Sequence, residues 1–299
     1  MRSRTKKSIA VAGSLLAVII AALIIFFARA PVLIVTDYSF IMLYGQSRIR
    51  SETFYSSLAL FRQIKPVIVT DDAGDDIVQF AVADGSSRPY CVLFPLRFAR
   101  VARNYREINP DIPVVILEGR YPSDANPASF AIGEDTDDYF LFKTDISADF
   151  YRAGLAAVIL DGEKDGRIVA FTESGIQSQA REAFLRALND LEKPLHTSFF
   201  TTLAQFSENP SLSCIVMAGA ASDYFDKNSK IPVVYFTWLD PELVPLDTVV
   251  IFNDSPWIQA VPAVRMVNAG MTKGQIPSKT HVLKGNNIDK NTIRKLRKI

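Results

Sequence analysis

The feature that most restricts the fold of this 299-residue chain is a series of short, uninterrupted apolar runs separated by amphipathic stretches. Val32–Thr36, Val67–Thr70, Tyr90–Leu96 and Pro113–Leu117 each read as a strand. Their apolar residues are consecutive rather than alternating, the pattern of strands covered on both faces. Glu52–Ile64, Asp75–Ala83 and Arg97–Glu107 read as the helices between them. Strands separated by helices pair in parallel through right-handed crossovers.

The rhythm breaks at Glu118–Asp138, where Gly, Pro, Asn, Asp and Ser accumulate, and then restarts. Tyr139–Thr144 reads as a strand, Ala148–Leu160 as a helix, Arg167–Thr172 as a strand and Gln177–Leu191 as a helix. In the last of these, Ala180, Ala183, Phe184, Ala187, Leu188 and Leu191 share one face. Further strands are expected at Thr197–Thr202, Cys214–Ala218, Val233–Thr237, Thr248–Phe252 and Thr280–Leu283, with a helix from Trp257 to Ala269 and another from Asp289 to Lys298. The expectation is an α/β protein of two Rossmann-like lobes with parallel sheets. Its parts are an N-terminal segment over 1–30, a first lobe over 31–145, a second lobe over 146–286 and a basic C-terminal helix over 287–299. No Gly/Ser-rich linker divides the lobes, as expected where several strands cross between them.

The N-terminal segment carries its own expectation. Arg2, Arg4, Lys6 and Lys7 precede an uncharged apolar run from Ile9 to Phe27. About 20 residues at ~1.5 Å each match the ~30 Å of a bilayer core. The segment therefore reads as a transmembrane helix with its cations on the cytoplasmic side, leaving the bulk of the chain extracytoplasmic at the inner membrane. Ala28-Arg29-Ala30 also has the small-x-small spacing of a signal cleavage site. The length of the apolar run and Pro31 just after that site favour a retained anchor over a cleaved signal.

Lys and Arg number 33 against 32 Asp and Glu, a balance that argues against an extended nucleic-acid surface. The basic tail after Lys284 reads as a solvated helix. Cys91 and Cys214 each lie within an apolar run and read as buried strand residues rather than a disulfide. With only His196 and His281, a Cys/His metal site lacks material. Gly-x-Ser-x-Gly and the phosphate-binding loop are both absent, and neither His stands beside a nucleophile motif, so neither an enzyme nor a cofactor is expected. The acidic run Gly133–Asp138 lacks the loop Gly and terminal Glu of the twelve-residue calcium pattern and reads as a solvated loop.

The stretches Asp149-Phe-Tyr-Arg-Ala-Gly-Leu-Ala-Ala-Val-Ile-Leu, Gly166-Arg-Ile-Val-Ala-Phe and Gln179-Ala-Arg-Glu-Ala-Phe-Leu-Arg-Ala-Leu carry a resemblance. They resemble the opening of the second lobe in the type I periplasmic-binding-protein superfamily, which includes exported sugar and nucleoside receptors and the effector domains of lac-repressor-like regulators. The order Pro232-Val-Val-Tyr-Phe-Thr, a strand at Thr248, a helix and a late strand near His281 is similar too, so the resemblance spans roughly Pro31 to Asn286. Ala153, Gly154, Ala156 and Ala157 are expected to let their helix lie close against the sheet. After the first strand the chain has Thr36-Asp37-Tyr38-Ser39-Phe40 in place of the family's Asn/Asp-rich turn, which leaves the ligand class open.

In open parallel sheets, ligands bind beyond the carboxyl ends of the strands. That rule selects Asp37, Tyr38, Ser39, Asp71, Asp72, Glu118 and Arg120 in the first lobe, and Asp145 at the restart. In the second lobe it selects Thr172, Glu173, Gly219, Trp238, Asn253 and Asp254. Carboxylates, amides and a guanidinium suit a polyhydroxylated ligand, and Tyr38 and Trp238 are the candidate stacking faces. Asp37, Ser174 and Asp254 also stand where helix caps are expected, and Asp71-Asp72 could be a cap beside a solvated charge. Trp257 is expected to pack rather than to meet ligand. The expected activity is binding of a small sugar or nucleoside-like solute, with a transporter permease or a sensor as partner. The alternative is an interaction module that kept the fold and lost the ligand.

Overall fold

A computed structural model describes residues 2–70, 73–86, 88–119, 139–162, 166–172, 177–192, 197–201, 212–218, 231–236, 247–283 and 288–299, with side chains from 14 onward. Helix α1 (Arg2–Ala28) leads into strand β1 (Val32–Asp37), helices α2 (Tyr38–Tyr44) and α3 (Gln46–Leu60), strand β2 (Ile64–Val69) and helix α4 (Asp75–Gly85). Strand β3 (Cys91–Pro95), helix α5 (Ala99–Ile108) and strands β4 (Val114–Glu118) and β5 (Phe140–Thr144) complete the first series. The second comprises α6 (Ile146–Asp161), β6 (Arg167–Phe171), α7 (Gln177–Asp190), β7 (Thr197–Phe200), β8 (Leu212–Ala218), β9 (Val233–Phe236) and β10 (Thr248–Asn253). Helix α8 (Pro256–Asn268), strands β11 (Lys273–Ile276) and β12 (Lys279–Val282) and helix α9 (Lys290–Leu296) end the chain.

Among the described residues the strands form two six-stranded sheets, ordered β11-β5-β4-β3-β1-β2 and β12-β10-β9-β8-β6-β7. The described pairings are parallel except that of β12 with β10. Every residue of β1, β3 and β10 is buried, which accounts for their unbroken apolar runs. The edge strand β2 instead exposes Lys65 and Pro66, and a proline has no N–H to offer another strand.

The chain crosses between sheets three times: from β5 into α6, from β10 into α8, and from β11 to β12. Helix α8 therefore covers the first sheet, where Trp257, Ala260, Ala263 and Val264 join the core of Phe40, Tyr44, Leu93 and Phe142. The second core gathers Phe150, Ala153, Ala156, Ala157, Ala180, Ala183 and Phe184 around β6, β8 and β10. Leu296 of α9 is fully buried there, so the basic tail is docked by an apolar anchor and is not merely a solvated helix. Gly154 faces α7 rather than the sheet: a Cβ on it would lie 2.7 Å from Ala187 Cβ and 2.9 Å from the Phe184 carbonyl oxygen.

Three expectations change. The helix expected from Glu52 to Ile64 starts earlier, as α2 and α3 joined through Gly45 at φ 90°, and ends at Leu60. Strand β11 went unread because Lys-Gly-Gln-Ile carries little apolar signal, yet it pairs with β5 along its whole length. Gly274 leaves room there for the end of the Met266 side chain, whose Cε would lie 2.3 Å from a Cβ.

The third change concerns the anchor. Among the described residues no helix is long and apolar enough to cross a membrane, which overturns the single-pass inner-membrane assignment and the compartment drawn from it.

Candidate ligand cleft

The carboxyl ends of strands from the two sheets meet at the crossings. Thr144, the last residue of β5, donates its hydroxyl to Asp254 just after β10, at 3.0 Å. Gln259 of α8 donates from Nε2 to the same Thr144 oxygen at 3.1 Å. Gly119, just past β4, is pressed against this group: a Cβ there would lie 2.3 Å from the Asp254 carbonyl oxygen and 2.7 Å from Gln259 Oε1. Glycine is thus what allows the tip of the first sheet to approach the second so closely. Gln259 is completely buried, and its Oε1 has no hydrogen-bond partner among the described residues.

A second contact lies one turn away. Asn253, the last residue of β10, donates from Nδ2 to Tyr44 Oη at 3.2 Å, and the Ser255 hydroxyl donates to the same oxygen at 3.1 Å. Asn253 Oδ1 in turn accepts the Ser255 N–H at 3.0 Å. Burial pushes the Tyr44 phenol above its ordinary range, so it stays neutral.

The third crossing is tied to α6. Buried Asp149 accepts the backbone N–H of Ser278 at 2.9 Å, the Ser278 hydroxyl, and a guanidinium N–H of Arg152. Arg152 also donates to the Ser278 carbonyl at 2.8 Å and to Thr280 Oγ1 at 3.0 Å. Burial raises the Asp149 carboxyl pKa, opposed by these donors and the Arg152 charge. Lys279 Nζ, across the lobes, lies 3.6 Å from Glu52 of α3.

The residues selected from sequence fall into distinct environments. Asp37 is fully buried; its Oδ1 accepts the Phe40 N–H at 2.8 Å as the cap of α2, and its Oδ2 pairs with Arg97. Tyr38 is exposed and Ser39 half-buried beside it. Glu118 pairs with Lys143 at 3.1 Å across neighbouring strands. Asp145 caps α6, accepting the Ala148 N–H at 2.9 Å. Thr172 is buried, and its hydroxyl has no partner among the described residues. Asn253 and Asp254 lie in the contacts above; Asp254 is not a cap, since α8 begins after Ser255. Asp71, Asp72, Arg120, Glu173, Gly219 and Trp238 lie outside the described residues, as do Ser174, His196 and the run 133–138.

Trp257 packs as expected, stacked on Phe40 with centroids 5.2 Å apart and its Nε1 donating to Thr53 at 2.9 Å. Cys91 and Cys214 are buried in the cores of different sheets. Sequence reasoning missed Tyr44, Arg97, Thr144, Asp149, Gln259 and Ser278. Each is unremarkable in its own segment and acquires a role only through a partner 60 or more residues away.

Two largely parallel sheets joined by three crossings match the fold of type I periplasmic-binding proteins and lac-repressor-like effector domains. Comparison with known proteins agrees at the level of fold. A transcriptional activator of the comK gene from Bacillus halodurans superposes with a TM-score of 0.54 at 11% identity, over 90% of this chain and 95% of that one. An ABC transporter solute-binding protein from Agrobacterium vitis, bound with α-D-tagatopyranose, gives 0.46 at 14% identity, over 89% and 98%. The lac repressor dimer bound to operator and the anti-inducer ONPF gives 0.45 at 10%, over 88% and 96%. No family model matches the sequence, and no curated protein matches it significantly.

Proposed function

We propose that this protein binds a small polar solute, a sugar or a nucleoside-like molecule, between the carboxyl ends of its two sheets. Its lobes close on that solute about the three crossings, for delivery to a transporter permease or for reporting to a sensor. The observation that carries this reading is the convergence of Gln259, Thr144 and Asp254 where the strand tips meet, with an amide oxygen of Gln259 that has no hydrogen-bond partner among the described residues. A ligand hydroxyl would supply the missing donor. Tyr38, Ser39 and the Asp37–Arg97 pair stand at the neighbouring tip of β1 and offer an aromatic face and polar edges. Closure is a hinge motion whose population the ligand shifts.

The test is a thermal-unfolding screen of the full chain against sugars, nucleosides and amino acids. A true ligand at about 100 times its Kd adds ~2.7 kcal/mol to stability, a rise on the order of 5 °C. Thr144→Val should reduce that rise. No shift with any of these classes overturns the reading. The alternative, an interaction module without ligand, is favoured by the fact that Asp37, Glu118, Asp145 and Asn253 are all engaged within the chain. It gains if ligand is absent and the unliganded protein already resists lobe opening.

A further inference from the structure

A second feature of the molecule lies far from the strand tips and is independent of the cleft. Helix α1 leans against the outer side of the first lobe and leaves an apolar groove of about 500 Å³ between itself and α3. That volume falls within the ~300–1,000 Å³ of small-molecule sites. Ile19, Leu23 and Phe26 recur on one face of α1, and Phe54, Leu58 and Phe61 line the opposite wall. Phe61 ends α3 in the left-handed region, at φ 48°, a conformation that costs free energy for a bulky residue. It brings the Phe61 ring edge-on to Phe26, with centroids 5.8 Å apart.

Two arginines adjoin Phe61 beside the groove, just outside its lining. Arg29 donates to the Phe61 carbonyl at 3.2 Å and lies 5.9 Å from the centre of its ring. Arg62 donates to the Ala30 carbonyl at 2.5 Å and lies over Tyr90. Among the described residues neither pairs with a carboxylate. Burial and the nearby Arg29 charge lower the pKa of Arg62, so two like charges are held close with no carboxylate partner among the described residues. An apolar slot with two guanidinia beside it, neither paired with a carboxylate among the described residues, matches an amphiphile with an acyl chain and an anionic head. Guanidinium binds carboxylate through paired N–H donors. An apolar peptide helix would fill the slot and leave the cations unanswered.

We propose that the groove between α1 and α3 binds a long-chain fatty-acid anion, its chain along Leu23, Phe26, Leu58 and Phe61 and its carboxylate on Arg29 and Arg62. The test is calorimetric titration of the full chain with laurate, myristate and palmitate below their micelle concentrations, beside the neutral monoglyceride of laurate. Saturable one-to-one binding is expected. Full burial gives roughly 15-fold per two methylenes; the groove is half open, so about 4-fold is expected. Arg29→Gln should weaken the anions about 10-fold and leave the monoglyceride unchanged. Leu23→Gln and Leu58→Gln, both at half-exposed positions, should weaken all the ligands. Unchanged circular dichroism in each variant separates a lost site from a lost fold. No binding, affinity independent of chain length, or indifference to Leu23→Gln and Leu58→Gln would each overturn the proposal. So would equal affinity for anion and monoglyceride, which would mark the groove as a seat for a neutral apolar partner. The cleft is remote from these positions, so a response to sugars should survive all three substitutions.

Discussion

The two sheets share much of a strand order and differ in how helices pack on them. Between the first sheet and α8 the core is made of large rings: Phe40 stacks on Tyr44 at 5.1 Å and on Trp257 at 5.2 Å. The second core has its own stack, Phe150 on Phe236 at 4.4 Å and Phe236 on Phe252 at 4.6 Å, but the faces of α6 and α7 are rich in alanine, with Gly154 set against Ala187 and Phe184 of α7. Rings that fill a core are sensitive to removal, whereas an alanine face is sensitive to addition. The difference extends beyond packing. Tyr44 and Trp257 end in polar atoms that bond to Asn253, Ser255 and Thr53, so the aromatic core is wired to the chain crossings. The alanine face carries no polar atoms with which to do the same.

The strongest way to break this contrast is to empty the aromatic side. Trp257→Ala should cost about 4 kcal/mol, the range for removing a buried Trp. The loss would appear in chemical denaturation as a lower midpoint with an unchanged slope. A cost below about 1 kcal/mol would mean that Phe40 and Tyr44 collapse into the space and that the ring is not structural.

Filling the alanine side is the mirror experiment. Gly154→Val should cost about 3 kcal/mol, because even its Cβ falls 2.7 Å from Ala187 Cβ and 2.9 Å from the Phe184 carbonyl. Combining it with Ala187→Gly should recover part of the loss, since the two positions share one contact and cannot be additive. Equal damage in the single and double variants would show that the backbone oxygen of Phe184, not Ala187, sets the limit.

How the lobes would be built was largely legible before the structure, because buried parallel strands announce themselves as unbroken apolar runs. Strands β1, β3, β4 and β10 were readable for that reason. Strand β11 was not: it is exposed along most of its length and is held by pairing with β5, and nothing in Lys-Gly-Gln-Ile records that neighbour. The split of α2 from α3 turns on one positive φ at Gly45, in a stretch with weak helical periodicity. The candidate site was legible only as a set of positions. Sequence identifies Asp37 as a polar group at a strand tip. It does not reveal that Arg97 neutralises it, or that Thr144 donates a hydrogen bond to Asp254, 110 residues away. Strand ends are local; the partners that occupy their polar groups are set by tertiary contact.

The wiring itself is tested by Tyr44→Phe, which keeps the ring and removes the oxygen. Asn253 and Ser255 then lose their common partner in a buried site, at a cost of about 1.5 kcal/mol. The informative readout is double: a stability loss together with a changed ligand response would place Tyr44 in the coupling between core and hinge. A stability loss alone would make it a packing residue with a satisfied hydroxyl.

The smallest effect concerns acid. His281 sits on β12 in the second sheet, and burial, with the positive charges of Lys279 and Arg48, holds its pKa down at about 4. Arg48 belongs to α3 of the first lobe, so protonating His281 adds a third cation at the junction of the lobes. A ring with a folded pKa below its ordinary ~6.5 favours the folded state above that value and loses the advantage as the pH falls toward 4, where the unfolded chain binds the extra proton. The ring is partly exposed, and solvent screening reduces the effect to about 1 kcal/mol. Asp149 works in the opposite direction in the same region, its raised pKa making protonation stabilising, so the wild-type profile alone would blur the two. His281→Gln removes one and keeps the other. The difference between the variant and the wild type, followed by thermal unfolding from pH 7 to pH 4, should grow as the pH falls below 6.5. A difference that stays flat across that interval would mean that His281 is already free to take up a proton in the folded state and that Arg48 does not reach it across the lobes.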